Sequence, residues 1–355
     1  MTNAPAISVV IPLYNAEKYL AECLDSILVQ TMQDFEVVIV NDCTPDLSRQ
    51  SAESYLEKFG GRLAIYDNEQ NLGISDTRNN GLRRARGEYI FFMDDDDIIS
   101  ENALERLYRI AKRFNVDVVN STEAYAMSED GKEKVRKFYT GEMRGKRLLD
   151  TDIAWRIENF LLTDKFGWAP WRKLVRRDFL IKNEIFFPSK LRRVEDVMWS
   201  HALLFFAKKI IHIPLPVYFH RRPLASESKT MNRLQRINFR AGTLIHAIKW
   251  INEIMDRAPF FKKNPQYRYL ILKHTVERFF MVIFGIAKKI PQEKMYYSMR
   301  RELKEDFGDY DVLLPILFTL MNKYHEIIAD NISVDDSREL RNYLNSTTKE
   351  LLYKN

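Results

Sequence analysis

The stretch "YIFFMDDDDIIS", residues 89–100, runs from apolar residues straight into four consecutive aspartates, Asp94 to Asp97, before isoleucine returns. Adjacent carboxylates repel one another, and such a cluster at the end of a buried strand costs free energy unless a cation neutralises it. Hard divalent ions such as Mg²⁺ and Mn²⁺ prefer carboxylate oxygens and take their remaining ligands from phosphate and water. The stretch therefore indicates a metal-bridged nucleotide diphosphate. The alternative is a solvated acidic turn before a helix that starts near Glu101, with Ser100 as its N-cap.

The first hundred residues alternate short β-branched runs with amphipathic stretches. Apolar runs joined by helices of about ten residues are typical of a parallel sheet covered on both faces, which predicts a doubly wound α/β domain. Such sheets bind ligands beyond the carboxyl ends of their strands. The predicted strands are 6–14, 34–42, 62–67 and 88–94, and the predicted helices are 21–30, 48–59 and 76–85.

Polar residues follow the other predicted strands at the same edge of the sheet. Pro12 ends the first strand and places Tyr14 and Asn15 just beyond its carboxyl end, while Asp42 follows the second strand. A tyrosine ring can stack on a base, and an aspartate can accept the imide N–H of uracil. Arg78 lies in the first turns of the next helix, where a guanidinium can contact a diphosphate or a ribose. Each residue could also serve a turn, but their order along the strand ends favours a nucleotide site.

Four blocks carry a resemblance to a known family: "ISVVIPLYNAEKYLAECLDSILVQT", "FEVVIVNDCTPD", "NLGISDTRNNGL" and "GEYIFFMDDDD". They resemble successive blocks of the family 2 glycosyltransferases, which are inverting, metal-dependent enzymes of the GT-A fold. The match is dense over residues 6–105 and looser to about 230. The resemblance implies a GT-A fold, which is a Rossmann-like, mostly parallel doubly wound sheet, here with a C-terminal helical region.

The resemblance also implies roles for the residues at the strand ends. Asp94 and Asp96 match the two ends of the family's DxD motif, with Asp96 as the direct ligand of Mn²⁺ or Mg²⁺ and Asp95 in the variable middle place. The nucleotide-binding residues it implies are Pro12, Tyr14, Asn15, Asp42, Arg78, Asp94 and Asp95. The run "NDCTPD" departs from the family pattern at Asn41 and Cys43, but the second acidic position is retained. The Gln-x-x-Arg-Trp signature of processive members is missing, which favours transfer of a single sugar.

The segment "SKLRRVEDVMWSHALLFFAKKI", residues 189–210, contains the candidate catalyst. Its Glu195-Asp196 pair matches the family's Glu-Asp block, whose aspartate deprotonates the acceptor hydroxyl. This implies that Asp196 is the general base and that Glu195 contacts the acceptor. The alternative is a pair of acids at a helix N-terminus, which the helix macrodipole favours.

Two further segments offer residues for the acceptor and the donor. In "FGWAPWRKLVRRDFLIKNEIFF", Trp168 and Trp171 precede a predicted basic amphipathic helix and either contact acceptor sugars or belong to the core. In "PLPVYFHRRPLASESKT", a strand leads into a basic loop. There His220 could complete the metal shell, or be a satisfied polar group. Arg221 or Arg222 could close over the diphosphate.

The chain is predicted to hold a glycosyltransferase domain at 1–230, with a nucleotide half at about 1–105 and an acceptor half at about 106–230, and a helical region at 231–355. The positive charge excess lies in residues 231–300. It suits contact with an anionic membrane surface, a solvated face or a protein partner, and no nucleic-acid motif accompanies it. No apolar stretch is long enough to span a bilayer and no signal peptide is found, so a cytoplasmic location is expected. Cys23 and Cys43 lack metal or redox spacing and are interpreted as structural.

These observations predict a metal-dependent enzyme that moves one sugar from a UDP-sugar to a glycan or lipid-linked glycan acceptor. The expected setting is bacterial polysaccharide, capsule or lipooligosaccharide synthesis at the inner face of the cytoplasmic membrane. One alternative is a sugar nucleotidyltransferase, but that class needs a glycine-rich loop after the first strand, and "PLYNAEKYL" has no glycine. The other is a catalytically silent sugar-binding subunit, which would tolerate loss of the acids.

Overall fold

The structure, a computed structural model, describes residues 4–138, 147–189, 191, 194–222, 246–268, 270–272 and 274–275. The chain divides into two compact units, residues 1–226 and residues 227–355. Each unit is described by itself below.

The first unit contains twelve described strands and seven described α-helices. The strands are β1 Ile7–Leu13, β2 Phe35–Asn41, β3 Leu63–Asp67, β4 Tyr89–Phe92, β5 Ile98–Ile99, β6 Val118–Ser121, β7 Glu123–Met127, β8 Lys134–Phe138, β9 Leu148–Asp150, β10 Lys173–Arg176, β11 Ile210–Ile213 and β12 Tyr218–Arg221. The helices are α1 Leu20–Leu28, α2 Ser48–Glu53, α3 Ile74–Arg84, α4 Ala103–Phe114, α5 Ile153–Arg156, α6 Arg177–Lys182 and α7 Glu195–Phe206.

Eight strands form one mixed sheet in the order β3-β2-β1-β4-β10-β6-β11-β9. The first four run parallel, β10 runs antiparallel to both β4 and β6, and β11 runs parallel to β6. Every residue of β1, β2 and β4 is buried, because helices cover both faces, as the continuous apolar runs predicted. The α/β fold expected from the sequence is therefore confirmed, and β1, β2 and β4 end at one shared edge.

A second sheet, in the order β5-β12-β7-β8, fixes the turn that carries the aspartates. Strand β5 begins directly after Asp97, and β12 pairs with it in antiparallel register, Phe219 opposite Ile98. The four aspartates therefore connect a strand of the large sheet to a strand of the small one. Both ends of this turn are anchored by backbone pairing, which restricts where the carboxylates can point.

Two local expectations were wrong. The predicted basic helix after Trp171 begins only at Arg177, because residues Lys173–Arg176 form β10 and fill the place between β4 and β6. Ser100 does not cap a helix: its amide donates to the Val217 carbonyl and continues the pairing of the small sheet. The helix α4 accordingly starts at Ala103.

In the second unit, residues 246–257 and Pro259–Lys263 are helical. Their buried apolar side chains include Ile248, Ile251, Ile254 and Met255. Within the described ranges, no helix is both long and apolar enough to cross a membrane. Most of the predicted basic region 231–300, and everything beyond residue 275, lies outside the described residues.

The packing of α3 against β1 can be tested at Gly81. A Cβ atom there would lie 2.3 Å from Cγ1 of Val10, a fully buried, branched side chain of β1. We expect Gly81→Ala to lower the free energy of unfolding by about 1–3 kcal/mol through overpacking, although alanine is the better helix former. Urea unfolding measures the change. The exposed Arg83→Ala on the same helix is the control, expected within about 0.5 kcal/mol of wild type; equal stability of both variants would contradict this contact.

Candidate active site

The buried guanidinium of Arg78 lies at the centre of the candidate site. It is carried by α3 and is 2% exposed. One terminal nitrogen, Nη2, donates to Asp94 Oδ1 at 2.7 Å, and the other, Nη1, donates to Asp196 Oδ1 at 2.8 Å. Burial alone lowers the pKa of Arg78, but these two carboxylates raise it overall, so the side chain is a permanent cation. Arg78 thus joins the aspartate turn to the N-terminus of α7.

The first two aspartates of the turn are bound by groups from other elements. Asp94 pairs with Arg78, and its backbone amide donates to the Tyr218 hydroxyl at 3.1 Å. Asp95 accepts a hydrogen bond from the Tyr14 amide, 2.9 Å from its Oδ2. Burial raises the pKa of Asp95 well above its usual range, while the hydrogen bond from the Tyr14 amide opposes the rise. This bond ties the loop after β1 to the aspartate turn.

The other two aspartates differ in exposure and in partners. Asp97 is fully buried and faces β12, where it accepts a hydrogen bond from the Arg221 amide at 2.7 Å. Asp96 is half-buried. Burial, together with repulsion from Asp97 and Asp94, raises the pKa of Asp96 to about 7. A nearby cation would relieve this repulsion.

Asp196 begins α7 together with Glu195, as the sequence predicted. Its side chain is 32% exposed and binds Arg78 through Oδ1. Burial raises the pKa of Asp196, whereas Arg78 and, more weakly, Lys173 oppose that rise. The arrangement gives a carboxylate that is held in place through one oxygen. Glu195 is 8% exposed and lies within the same charged group, close enough to influence Arg78.

Lys173 is a member of this group that the sequence reasoning did not single out. Its ammonium is fully buried and donates to the carbonyls of Gly167 and Ala169 at 2.6 and 2.9 Å. Burial lowers the pKa of Lys173 well below its usual range, and the adjacent Arg172 adds to this, while Asp196 opposes it. Nothing local in the segment after Trp171 reveals that this lysine ends up inside the sheet.

The residues predicted to bind the base lie at the ends of β1 and β2. Pro12 is buried in β1, whereas the Tyr14 side chain is 49% exposed beyond it. Asn15 adopts a left-handed conformation with φ of 57°, and its amide donates to Thr44 Oγ1 at 2.8 Å. The exposed Tyr14 ring is therefore available for stacking on a base.

Asp42 lies at the predicted position, but its carboxylate is engaged within the protein. Oδ1 accepts from the Leu72 amide and from Asn68 Nδ2, and Oδ2 accepts from the Gly73 amide, each at 2.8 Å. In this structure Asp42 holds the loop that leads into α3 and thereby places Arg78. Direct reading of a base by Asp42 stays a prediction.

His220 lies beside the aspartate turn on β12. Its Nδ1 is 3.2 Å from Asp97 Oδ2, and its ring stacks on Trp171 with 5.2 Å between ring centroids. Burial alone lowers the pKa of His220, but the hydrogen bond and charge of Asp97 raise it above the usual value. The charge of His220 in turn lowers the pKa of Asp96.

Arg221 differs from its expected position. Its side chain is 1% exposed, donates through Nε to the Asp96 carbonyl at 2.8 Å and through Nη2 to Glu22 at 2.7 Å, and lies over the Tyr19 ring. It therefore supports the aspartate turn from behind instead of reaching over a diphosphate. Arg222 is exposed, and residues 223–230 of the predicted closing loop lie outside the described residues.

The two tryptophans have different surroundings. Trp171 is 7% exposed and stacks on Tyr218 with 4.4 Å between ring centroids, so it packs under β12 as a core residue. Trp168 is half-buried and contacts His201 edge to face. Its backbone carbonyl accepts from Ser200 of α7, the helix of Asp196. Of the two, Trp168 is the one with surface available to an acceptor.

The fit of these residues to a divalent cation can be judged from the donors present. Within the described part of the chain, no cluster of three His, Cys, Asp or Glu side chains is poised to hold a metal. Asp96 offers carboxylate oxygens and His220 a ring nitrogen, each affecting the pKa of the other, and Asp94 is partly committed to Arg78. Mg²⁺ and Mn²⁺ at nucleotide sites commonly take one or two protein ligands and complete their shell with phosphate and water. The residues fit such an ion.

Comparisons with known proteins bear on the family and on the fold of this chain. The family model described as glycosyl transferase family 2 matches residues 8–169. The glycosyltransferase GlyG of Streptococcus pneumoniae is 31% identical over 63% of this chain and 73% of its own length. The glycosyltransferase EpsJ of Bacillus subtilis is also 31% identical, over 61% of each chain, so this chain spans less than two thirds of that relative.

Among solved structures, S. aureus TarS 1-349 in complex with UDP-GlcNAc superimposes with a TM-score of 0.65 at 19% identity, covering 97% of this chain and 92% of that chain. That likeness defines a GT-A fold. The family-model match and the GlyG alignment show that the chain belongs to glycosyltransferase family 2.

The bridging role of Arg78 can be tested by Arg78→Lys. A single ammonium keeps the charge but cannot bind two separate carboxylates as a planar guanidinium does. We expect a loss of about 1–3 kcal/mol in the free energy of unfolding, since a buried charged network is left incomplete. The exposed Arg83→Lys on α3 is the matched control and should stay within about 0.5 kcal/mol of wild type. If Arg78→Lys were as stable as that control, the bridge would not support the fold.

Proposed function

We propose that this protein is an inverting, metal-dependent glycosyltransferase that moves one sugar from a UDP-sugar to a glycan or lipid-linked glycan acceptor. One observation carries the proposal. The guanidinium of Arg78 binds the aspartate turn through Asp94 and the start of α7 through Asp196. The predicted donor site and the predicted base are thus brought into one charged group, although 118 residues separate Arg78 from Asp196 along the chain.

The donor would bind across the carboxyl ends of β1, β2 and β4. Tyr14 offers an exposed ring for the base, and its backbone is fixed to Asp95. Arg78 offers a cation for the diphosphate, and Arg222, exposed directly after β12, offers a second one. The TarS neighbour was solved with UDP-GlcNAc, which supports a nucleotide-sugar donor for this chain.

Asp96 and His220 would hold Mn²⁺ or Mg²⁺, with Asp94 nearby. When bound, such an ion offsets the negative charge that develops on the departing diphosphate. The contribution of the chain is to keep the carboxylate of Asp96 beside the diphosphate position, through the bond from Arg221 to its carbonyl.

Asp196 would act as the general base. Inversion requires one in-line displacement at the anomeric carbon, so the base must remove the proton of the acceptor hydroxyl from the face opposite the leaving group. Arg78 holds Asp196 through Oδ1, which leaves Oδ2 for that proton. The same ion pair favours the charged form of Asp196, the form that a base needs, against the effect of burial.

Trp168 and Glu195 would contact the acceptor, because Glu195 adjoins Asp196 in α7 and the Trp168 carbonyl accepts from Ser200, one turn along the same helix. A surface glycan or its lipid-linked precursor is the proposed acceptor. One relative, 31% identical over 58% of this chain, is named poly(ribitol-phosphate) beta-glucosyltransferase, which supports a cell-envelope polymer. The basic region 231–300 would bring the enzyme to the inner face of the cytoplasmic membrane.

The donor site is tested by Asp96→Ala. Calorimetric titration of UDP into the wild type should show binding that strengthens when Mn²⁺ is present. We expect the variant to lose this metal dependence, with affinity in Mn²⁺ falling by about 10-fold or more, because the ion loses a direct ligand. Asp130→Asn, an exposed acid in the β7–β8 turn, serves as control. UDP binding that ignores both Mn²⁺ and the substitution would refute the donor site.

The base is tested separately by Asp196→Asn. The amide keeps the shape and can still accept from Arg78, but it cannot take a proton. We expect UDP affinity within about threefold of wild type and a fall of roughly 10²–10⁴ in kcat for transfer from a UDP-sugar. A variant that transfers sugar at the wild-type rate would remove Asp196 from the reaction. A wild type that binds UDP-sugars but never transfers or hydrolyses them would favour a silent sugar-binding subunit.

A further inference from the structure

Asp97 is the one aspartate of the four that the proposed donor site does not use. It is fully buried, and its carboxylate faces three residues of β12. Oδ1 accepts from the Arg221 amide at 2.7 Å, and Oδ2 lies 3.2 Å from His220 Nδ1. Burial and the charge of this carboxylate raise the pKa of Tyr218. A buried carboxylate with this many partners fixes the strand opposite the aspartate turn.

The donors around Asp97 determine where the protons lie. The Arg221 amide can only donate. The Tyr218 hydroxyl accepts a hydrogen bond from the Asp94 amide, and burial together with the charge of Asp97 raises its pKa, so this hydroxyl keeps its proton. A carboxylate surrounded by such donors acts as an acceptor, which means that the facing Nδ1 of His220 carries a proton.

The orientation of the His220 ring is fixed by stacking. Trp171 lies against Tyr218 at an interplanar angle of 11° and against His220 at 19°. With the ring plane set by Trp171 and Nδ1 turned to Asp97, Nε2 is the nitrogen that remains for a ligand. His220 is also close enough to Asp96 for the two groups to affect each other's charge.

We propose that Asp97 is a positioning residue: by accepting the Nδ1 proton of His220, it keeps Nε2 of the neutral ring unprotonated and available to a divalent cation held at Asp96. This inference rests on the proposed metal-dependent function. Carboxylate–histidine pairs of this kind orient metal-binding imidazoles and raise their basicity. Asp97 would not touch the cation, the donor or the reacting atoms.

Asp97→Asn distinguishes this role from a merely structural one. The Arg221 amide is a donor, so the carbonyl oxygen of the new side chain must face it. The amide NH₂ group then faces His220 and donates to Nδ1. The proton of the neutral ring moves to Nε2, where it blocks metal binding, while the volume of the side chain is unchanged.

The first experiment is NMR of the metal-free, ¹⁵N-histidine-labelled full chain, at a pH above the titration of His220. The His220 signals are assigned by their loss in His220→Ala. Wild type should show a protonated Nδ1 and an unprotonated Nε2, and Asp97→Asn should show the reverse. Glu36→Gln is the control: Glu36 is also a buried carboxylate, bound to Ser8 and Arg86, and its loss should leave the His220 signals unchanged.

The second experiment titrates UDP into each protein with saturating Mn²⁺. We expect Asp97→Asn and His220→Ala each to weaken binding by about 10–100-fold, and the double variant to bind as weakly as His220→Ala alone. Glu36→Gln should bind like wild type. A further loss in the double variant would mean that Asp97 acts by another route and would overturn the inference.

The remaining outcomes separate this inference from the proposed function. A wild-type ring protonated at Nε2, or a tautomer unchanged by Asp97→Asn, overturns the positioning role even if Mn²⁺ strengthens UDP binding. In another outcome, the tautomers are as expected but neither Asp97→Asn nor His220→Ala changes Mn²⁺-dependent UDP binding. That outcome also overturns the positioning role and leaves the proposed function intact. A wild type whose UDP binding ignores Mn²⁺ overturns the metal-dependent function itself.

Discussion

The guanidinium of Arg78 is the interaction on which the candidate site depends. A buried cation must be matched by anions, because its desolvation is costly, and here Asp94 and Asp196 supply them from two different parts of the chain. The pairing fixes α3, the aspartate turn and α7 relative to one another. It also opposes the rise that burial causes in the pKa of Asp196, the proposed base, and holds its carboxylate in place.

Four adjacent aspartates are tolerated because each has a different environment. Asp94 forms an ion pair with Arg78, and Asp95 accepts a hydrogen bond from the Tyr14 amide. Asp97 accepts a hydrogen bond from the Arg221 amide of β12. Asp96 is left half-buried with a pKa raised to about 7, mainly by burial and then by its neighbours. Burial and repulsion within the turn also raise the pKa of Asp95, but in the described part of the chain no other residue is hydrogen-bonded to the half-buried side chain of Asp96. Protein groups therefore hold the other three acids in place.

The sequence predicted the first half of the fold well and the supporting residues poorly. The strands from β1 to β4 and the start of α7 lie where the apolar periodicity indicated, because each is a continuous local signal. Lys173 was not singled out, although it is buried and binds backbone carbonyls. Arg221 was expected to cover a diphosphate, but its side chain donates to the Asp96 carbonyl. A basic residue in a short segment is expected to be exposed, and only its partners in distant elements make its burial favourable.

The sequence by itself determined the α/β class, the edge of the sheet at which polar groups gather, and the acids available there, because strand periodicity and residue type are properties of neighbouring positions. Tertiary structure alone decided which partner each acid received. Arg78 meets Asp196, and Asp97 meets His220, across separations of more than a hundred residues. Such pairs follow from the order of strands in the two sheets, because parallel pairing brings remote segments to one edge. The local sequence pattern does not determine that order.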